Sequence, residues 1–295
     1  MAELTVLTPT YNRAALLPRL FESLCRQTCK DFEWIVVDDG STDETEAVVR
    51  SVGREAAFPV RYLRKENGGK HTAVNLGVRE AEGELVFIAD SDDMLMPESV
   101  ETVLKAWAEV RGNEAMGGIA GLDISAKDGQ VVGSGLPRQT IDCNAMDIRF
   151  KYHVTGDLKE VFRTSVLQAY PFPQIQNEKF CPEQLCWFRI AQKYRLRYIN
   201  RPLYVADYQE NGITSGITKA RMHSPMASMM TYGEMLAYDI PVREKAKAAI
   251  NYWRFRCCAA GEAVAKVSWR WAWARPLGWL MHQRDKRIVR EKTGK

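Results

Sequence analysis

Three carboxylates close an apolar run in Leu85-Val86-Phe87-Ile88-Ala89-Asp90-Ser91-Asp92-Asp93, and Asp90 and Asp92 bracket one small residue. Hard oxygen donors so spaced suit Mg2+ or Mn2+, ions that typically take one or two carboxylates and complete their shell with substrate phosphates. The same residues could form a solvated acidic turn in which Asp93 caps the next helix. Which of the two they form depends on the elements that hold them.

Those elements alternate. Leu4-Thr5-Val6-Leu7-Thr8 is a β-rich run that Pro9 is expected to end, because proline cannot donate to a sheet ladder. Leu16, Leu17, Leu20, Phe21 and Leu24 recur at helical spacing up to about Thr28, with Pro18 in the first turn. Phe32 to Val37 reads as a second strand running into Asp38-Asp39-Gly40-Ser41-Thr42-Asp43, and Glu44 to Val52 as a capped helix. Val60 to Arg64 is a third strand, followed by the loop Glu66-Asn67-Gly68-Gly69-Lys70 and a helix carrying Ala73, Val74, Leu76 and Val78. Leu85 to Ala89 is the fourth strand, and a helix runs from Pro97 to about Val110. Such alternation implies a parallel sheet with right-handed crossovers. Ligands of open α/β sheets bind beyond the carboxyl ends of the strands. Tyr11, Asp38 and Asp39, Asn67 to Lys70, and Asp90 with Asp92 all fall at that edge. Asp38 reads as structural, since neighbours on an extended segment point opposite ways, and Ser41 and Thr42 read as turn and cap residues.

The chain has 295 residues and a net charge of +4. At roughly 150 residues per domain this length permits one elaborated domain or two. The mild charge gives no ground for nucleic-acid binding. Seven cysteines lack a paired metal spacing and read as thiols of a reducing cytoplasm. The start Met1-Ala2-Glu3-Leu4 lacks the blocks of a secretory signal, and no run approaches the ~18 apolar residues of a membrane span. A cytoplasmic protein, peripheral on the cytoplasmic face of a membrane if the C-terminal region touches lipid, is the expectation.

Four motifs in order now carry a resemblance: Thr8-Pro9-Thr10-Tyr11-Asn12-Arg13; Val37-Asp38-Asp39-Gly40-Ser41-Thr42-Asp43; Asn67-Gly68-Gly69-Lys70 with Asn75 and Gly77 behind it; and Ala89-Asp90-Ser91-Asp92-Asp93. Together they resemble a family-two inverting glycosyltransferase of GT-A fold over residues 3 to about 110. The Gly-x-Gly-x-x-Arg-type loop of sugar-phosphate nucleotidylyltransferases is missing after strand one. The resemblance implies an α/β fold with a GT-A-type, Rossmann-like mixed sheet flanked by helices and a helical C-terminal extension. It further implies a nucleotide-sugar donor, UDP-linked, an acceptor hydroxyl on a glycan or lipid-linked molecule, and Mn2+ or Mg2+. Thr8, Pro9 and Tyr11 match the segment that lines the base, and Asp39 the acid that hydrogen-bonds the uracil edge. Lys70 matches the loop flanking the nucleotide, where a cation offsets phosphate charge. Asp90, toward ribose and metal, and Asp92, on the metal, match the Asp-x-Asp pair around Ser91. Asp93 could support that shell or cap the next helix.

The implied domain covers residues 1–215, with a nucleotide-sugar half at 1–110 and an acceptor half at 111–215. In the latter, Gly117 to Ile124 and Gln130 to Gly133 read as a β pair joined by Lys127-Asp128-Gly129. Asp157 is a candidate acceptor-side residue or a turn residue after Gly156. Pro182 starts a helix whose first turn holds Glu183. Many relatives carry a Glu-Asp pair here with the aspartate as base, and Gln184 stands in that slot. An inverting transfer needs a proton acceptor, and Glu183 is the candidate, with Glu178 and Asp157 behind it. A non-catalytic relative that binds a nucleotide or glycan at the membrane is the alternative. Tyr198-Ile199 and Leu203 to Val205 resemble closing strands, and Tyr208 to Thr214 the loop after them.

Residues 216–295 read as helices, with a break near Ile240-Pro241. From Lys266 to Lys295 nine Lys or Arg face two acids, with Trp269, Trp271, Trp273 and Trp279 interleaved. Tryptophan beside cations fits an anionic membrane surface, so 267–295 is expected to be a peripheral helix or hairpin, broken at Pro276 and Gly278, or else a helix packed on the chain's own core.

Overall fold

A computed structural model describes residues 2–208, 216–259 and 267–293. The chain divides into two compact units, one of residues 1–171 with 187–209 and the other of 172–186 with 210–295. The expected loop from Tyr208 to Thr214 lies, beyond Tyr208, outside the described residues.

The first unit begins as the alternation predicts: β1 (Leu4–Thr10), α1 (Leu17–Cys25), β2 (Phe32–Asp38), α2 (Thr45–Glu55), β3 (Val60–Arg64), α3 (Lys70–Glu80) and β4 (Leu85–Ile88). There follow β5 (Met94–Leu95), α4 (Ser99–Ala108), β6 (Met116–Ser125), β7 (Thr140–Cys143), α5 (Ala145–Phe150), β8 (Leu158–Arg163) and α6 (Thr164–Ala169). Helix α7 (Glu183–Ile190) precedes β9 (Arg195–Ala206). The described strands make one mixed sheet in the order β3-β2-β1-β4-β8-β6-β9-β5, with β7 also on β9. Strands β3, β2, β1 and β4 are mutually parallel, so their carboxyl ends share one edge. β8 runs antiparallel to both β4 and β6, and β6 parallel to β9.

Both faces of a central parallel strand are covered by helices, so such strands are apolar throughout. All seven residues of β1 and of β2 are buried accordingly. Trp34, Phe32, Phe21 and Phe58 form one aromatic cluster of the core, and α1 delivers Leu17, Leu20 and Leu24 to it.

Several expectations are corrected. Pro9 does not end β1; it pairs opposite Val37. Alternate residues of a parallel strand address alternate neighbours. The Leu7 carbonyl faces β4, accepting from the Ala89 N–H at 2.8 Å, and the Thr10 carbonyl faces β2, accepting from the Asp39 N–H at 2.8 Å. Pro9 thus faces the β4 side, beyond the last paired residue Ile88, where the ladder asks for no further donor. The second correction concerns Tyr198-Ile199 and Leu203 to Val205, which belong to the single strand β9. Register shifts against β6 around Leu122 absorb Asn200 and Arg201, so Pro202 pairs without breaking the strand. The β pair around Gly129 forms a turn with one isolated bridge, Ile124 to Val131, in place of a second full strand.

The second unit contains α8 (Ile217–His223), α9 (Pro225–Met235), α10 (Val242–Arg256), a 3-10 turn at Trp269–Ala274 and α11 (Arg275–Thr293). The helices do part at Pro241, which precedes α10. Helix α11 is unbroken through Gly278, correcting the expected interruption. Pro276 occupies its first turn, where no N–H is needed. A side chain at Gly278 would stand 2.6 Å from Trp253 Cβ and 2.8 Å from the Arg254 nitrogen, so glycine there permits close packing on α10.

Strand β8 reaches β6 through a similarly tight contact. A Cβ at Gly118, whose φ is +154°, would lie 2.1 Å from the Val161 carbonyl oxygen and 2.8 Å from Phe162 Cα. Backbone cannot retreat as a side-chain tip can, so Gly118→Ala is expected to destabilise the protein by about 2–4 kcal/mol. Urea denaturation followed by tryptophan fluorescence measures this, and an unchanged midpoint would refute it.

Candidate active site

The β1 and β2 loops are tied together first. Asn12, at φ +52°, donates its backbone N–H to Ser41 Oγ at 2.8 Å, and its Oδ1 accepts from the Thr42 N–H at 2.8 Å. Asp43 accepts from the Ala14 and Thr45 N–H groups. Asp38, buried, accepts from the Ser41 N–H at 2.7 Å and from the Tyr62 hydroxyl at 2.5 Å, a structural acid.

Asp39 is buried and holds the loop after β3. Its Oδ1 accepts from Lys65 Nζ at 2.7 Å and the Gly68 N–H at 2.9 Å, and its Oδ2 from the Gly69 N–H at 2.7 Å and Asn67 Nδ2 at 3.2 Å. A carboxylate offers about four acceptor sites. All four are therefore committed to residues 65–69, and the sequence expectation of a uracil contact meets an acid already occupied by its own loop. Gly69, at φ +96°, leads into α3.

Lys70 opens α3 and places Nζ 2.7 Å from Asp90 Oδ1 and 2.9 Å from Oδ2. The Asp90 N–H donates to the Tyr204 hydroxyl at 2.6 Å, which anchors the end of β4 to β9. Arg13 stands 3.7 Å from Asp92, and Arg19 donates to the Asp92 carbonyl while pairing with Asp207 at 2.6 Å. Asp93, buried, accepts from the Asp207 N–H at 2.7 Å. It braces the segment after β9 and caps no helix. Ser91 is buried between the two acids.

Like charges packed so closely divide their protons unequally. Burial acts to raise the Asp90 carboxyl, but Lys70, Lys159 and Arg13 together hold it below the ordinary carboxylate range. Burial, then the Asp90 charge, pushes Asp92 up, and the same two causes push Asp93 up to about 6. Lys159, on β8, rests its ammonium 3.5 Å from the centre of the Tyr204 ring.

Sequence reasoning missed Asp123. It lies on β6 in register with Tyr204, is 6% exposed, and its Oδ1 has no hydrogen-bond partner. Burial, against the pull of Lys159 and with the charges of Asp157, Asp93 and Asp90, lifts it to about 7. An acid inside the apolar run Gly117 to Ile124 was the available signal.

The remaining predicted residues are placed as follows. Tyr11 is 47% exposed past the end of β1, and Pro9 is buried in the strand. Thr8 turns into the core, where its hydroxyl accepts from the Trp34 indole at 3.0 Å. Asp157 is exposed and accepts from the Tyr208 hydroxyl at 2.6 Å. Glu183 is exposed in the first turn of α7 and belongs to the second unit. Glu178 is corrected from reserve base to helix cap: it is buried and accepts from the Met226 and Ala227 N–H groups at 2.6 and 2.8 Å, at the start of α9.

Among the described residues no three acidic, thiol or imidazole side chains gather to hold a metal ion. Asp90 and Asp92 nevertheless fit a magnesium-like ion as a pair, the arrangement that leaves the remaining positions to water and phosphate oxygens. Arg13 is too far from Asp92 for a hydrogen bond, and each Asp90 oxygen has a further lone pair beside Lys70.

The family model for glycosyl transferase family 2 matches residues 5–122, a span that holds Asp39, Lys70, Asp90 and Asp92. Residues 5–122 are a family-2 glycosyltransferase domain. The chain is 27% identical over 226 residues, 74% of its length and 69% of the relative's, to the Campylobacter jejuni GalNAc(5)-diNAcBac-PP-undecaprenol beta-1,3-glucosyltransferase. It is 44% identical over 109 residues to the Streptomyces hygroscopicus validoxylamine A glucosyltransferase, a match covering 36% of this chain and only 25% of that protein. S. aureus TarS in complex with UDP-GlcNAc is similar in fold, with TM-score 0.62 and 18% identity over 99% of this chain and 92% of that one. The Mn2+ and GDP-Man complex of a Pyrobaculum calidifontis mannosyltransferase is similar with TM-score 0.57 and 20% identity, covering 94% and 73%. The fold is of GT-A type.

Asp123, just past the matched span on β6, gives the fold a pH-dependent stability. Its carboxyl titrates higher folded than unfolded, so its contribution is full below about pH 4 and is lost as the pH rises through about 7. Asp123→Asn is expected to leave stability at pH 4 nearly unchanged and to raise it at pH 8 by up to about 2–4 kcal/mol. Paired urea titrations measure the difference, and an equal effect at both pH values would contradict the assignment.

Proposed function

We propose that this chain transfers a sugar, with inversion, from a UDP-linked donor to a hydroxyl of a glycan or lipid-linked acceptor. The observation that carries the reading is the gathering, at the carboxyl edge of β1, β2 and β4, of the ordered 65–69 loop and the Lys70–Asp90–Asp92 group. Two likenesses support the substrate classes: the C. jejuni relative is named for a lipid-linked acceptor, and the S. aureus fold neighbour is complexed with UDP-GlcNAc.

In this reading the exposed Tyr11 ring and the 67–69 loop receive the nucleotide. Asp39 acts through the loop it holds. Pro9 closes the floor beneath the base, Thr8 fixes Trp34 beneath the strand, and Ser91 spaces the two acids. Asp90 and Asp92 would hold Mg2+ or Mn2+, which would supply positive charge at the diphosphate. Lys70 adds a fixed cation where negative charge grows on the leaving group. The acceptor hydroxyl loses its proton to Glu183 as its oxygen bonds the anomeric carbon, and the nucleoside diphosphate departs with the electron pair of the broken C–O bond. Asp157 lines the acceptor side. In domain terms, 1–110 carries donor binding, 111–215 acceptor binding, and 216–295 a separate role.

Titration calorimetry with UDP, with and without Mn2+, tests the binding half. UDP is expected to bind more tightly with the ion, and Asp92→Ala to abolish that gain. Donor hydrolysis is expected to fall ~10²–10⁴-fold in Glu183→Gln with UDP affinity unchanged. Equal turnover in wild type and both variants would remove the mechanism. UDP binding without any turnover would favour the non-catalytic relative, for which Gln184 in the usual aspartate slot is the motivating feature.

A further inference from the structure

Helix α11 buries a narrow spine and exposes the rest. Ala274, which ends the 3-10 turn, and Gly278, His282 and Asp285 of α11 face inward, and exposed positions of α11 carry Leu277, Trp279, Leu280, Met281 and Ile288. Trp269, on the preceding 3-10 turn, is 83% exposed, and Trp279 is 53% exposed. Large apolar side chains exposed in such number on one helix mark an interaction surface. No helix among the described residues is long and apolar enough to cross a membrane.

Charge identifies the partner. Between residues 267 and 289 the only acid is Asp285, against five cations: Arg270, Arg275, Arg284, Lys286 and Arg287. Asp285 is buried and turned onto α10, where both its oxygens accept from Arg254 at 2.5 and 2.7 Å. With that acid neutralised internally, the outward surface of this stretch combines apolar bulk with positive charge alone. Beside it an open groove of about 340 Å³ is lined by Trp253, Arg256, Cys257, Arg275 and Trp279. Arg275 lies 4.3 Å over the Trp253 ring, and Arg256 is steadied by donating to the Ala259 carbonyl at 3.0 Å. Two guanidinium groups between indoles offer what a phosphodiester headgroup needs: paired donors for its oxygens and amphipathic rings at its acyl end.

We propose that the outward face of the 3-10 turn and α11 beds on an anionic phospholipid surface, with the Arg256–Arg275 groove seating a headgroup phosphate. The indoles and leucines enter the interfacial layer while the cations meet lipid charge. The surface lies wholly within the second unit, so the inference stands or falls separately from sugar transfer.

Co-sedimentation of the full chain with phosphatidylglycerol-containing vesicles, against pure phosphatidylcholine vesicles, tests it without any donor present. Binding is expected only to the anionic vesicles, with a blue shift of tryptophan emission and a loss on adding salt. Each cation near an anionic surface contributes about fivefold, so the exposed pair Arg284→Gln with Arg287→Gln is expected to weaken partition about 25-fold. Arg256→Gln is expected to weaken it while leaving UDP affinity unchanged. No sedimentation with anionic vesicles at low salt would overturn the proposal, as would equal binding of neutral vesicles or of the double variant. Saturable fluorescence change with inorganic phosphate, in a protein that ignores vesicles, would assign the groove to free phosphate and overturn the lipid reading.

Discussion

Carboxylates of like charge share one end of this sheet, and the arrangement holds only because cations are set among them. Asp90, Asp92 and Asp93 come from the turn after β4, and Asp123 from β6. Lys70, Arg13, Arg19 and Lys159 come from four other places in the chain. Unpaired buried charge is costly, and groups that cannot all ionise shift their protonation in place of unfolding the site. That is the pattern here: one carboxyl is held ionised by its lysine, and the others are pushed upward. The topology follows from the same requirement, since only a parallel arrangement of β2, β1 and β4 brings the Asp39 loop and the Asp90 turn to one edge.

The parallel half was legible because its signals are local. Apolar runs of strand length and helical spacing repeat four times, and each acid or lysine of interest lies in the loop that follows a run or opens the helix after it. The antiparallel return was legible only in fragments. Tyr204, Lys159 and Asp123 join the site through pairings between residues far apart in sequence, and nothing local marks which face they take. Glu178 misled for the same reason: a carboxylate before a helix-starting Pro182 resembles a cleft acid until Met226 and Ala227 are seen to donate to it. Pro9 misled because its meaning depends on where the neighbouring strand stops.

The C-terminal tryptophans posed two alternatives, a surface helix or a core helix, and the structure combines them. Small residues let one side of α11 press against α10, while the large ones remain outside. Composition alone cannot separate these roles, since it does not record which residues share a face.

Asp39 has a consequence of its own. One side chain accepts hydrogen bonds from four donors spread over residues 65–69. Cooperative hydrogen bonds of this kind form and break together. Loss of that one carboxylate would release the Lys65, Asn67, Gly68 and Gly69 donors in the same event, and it directly follows β2, one strand in from the β3 edge of the sheet.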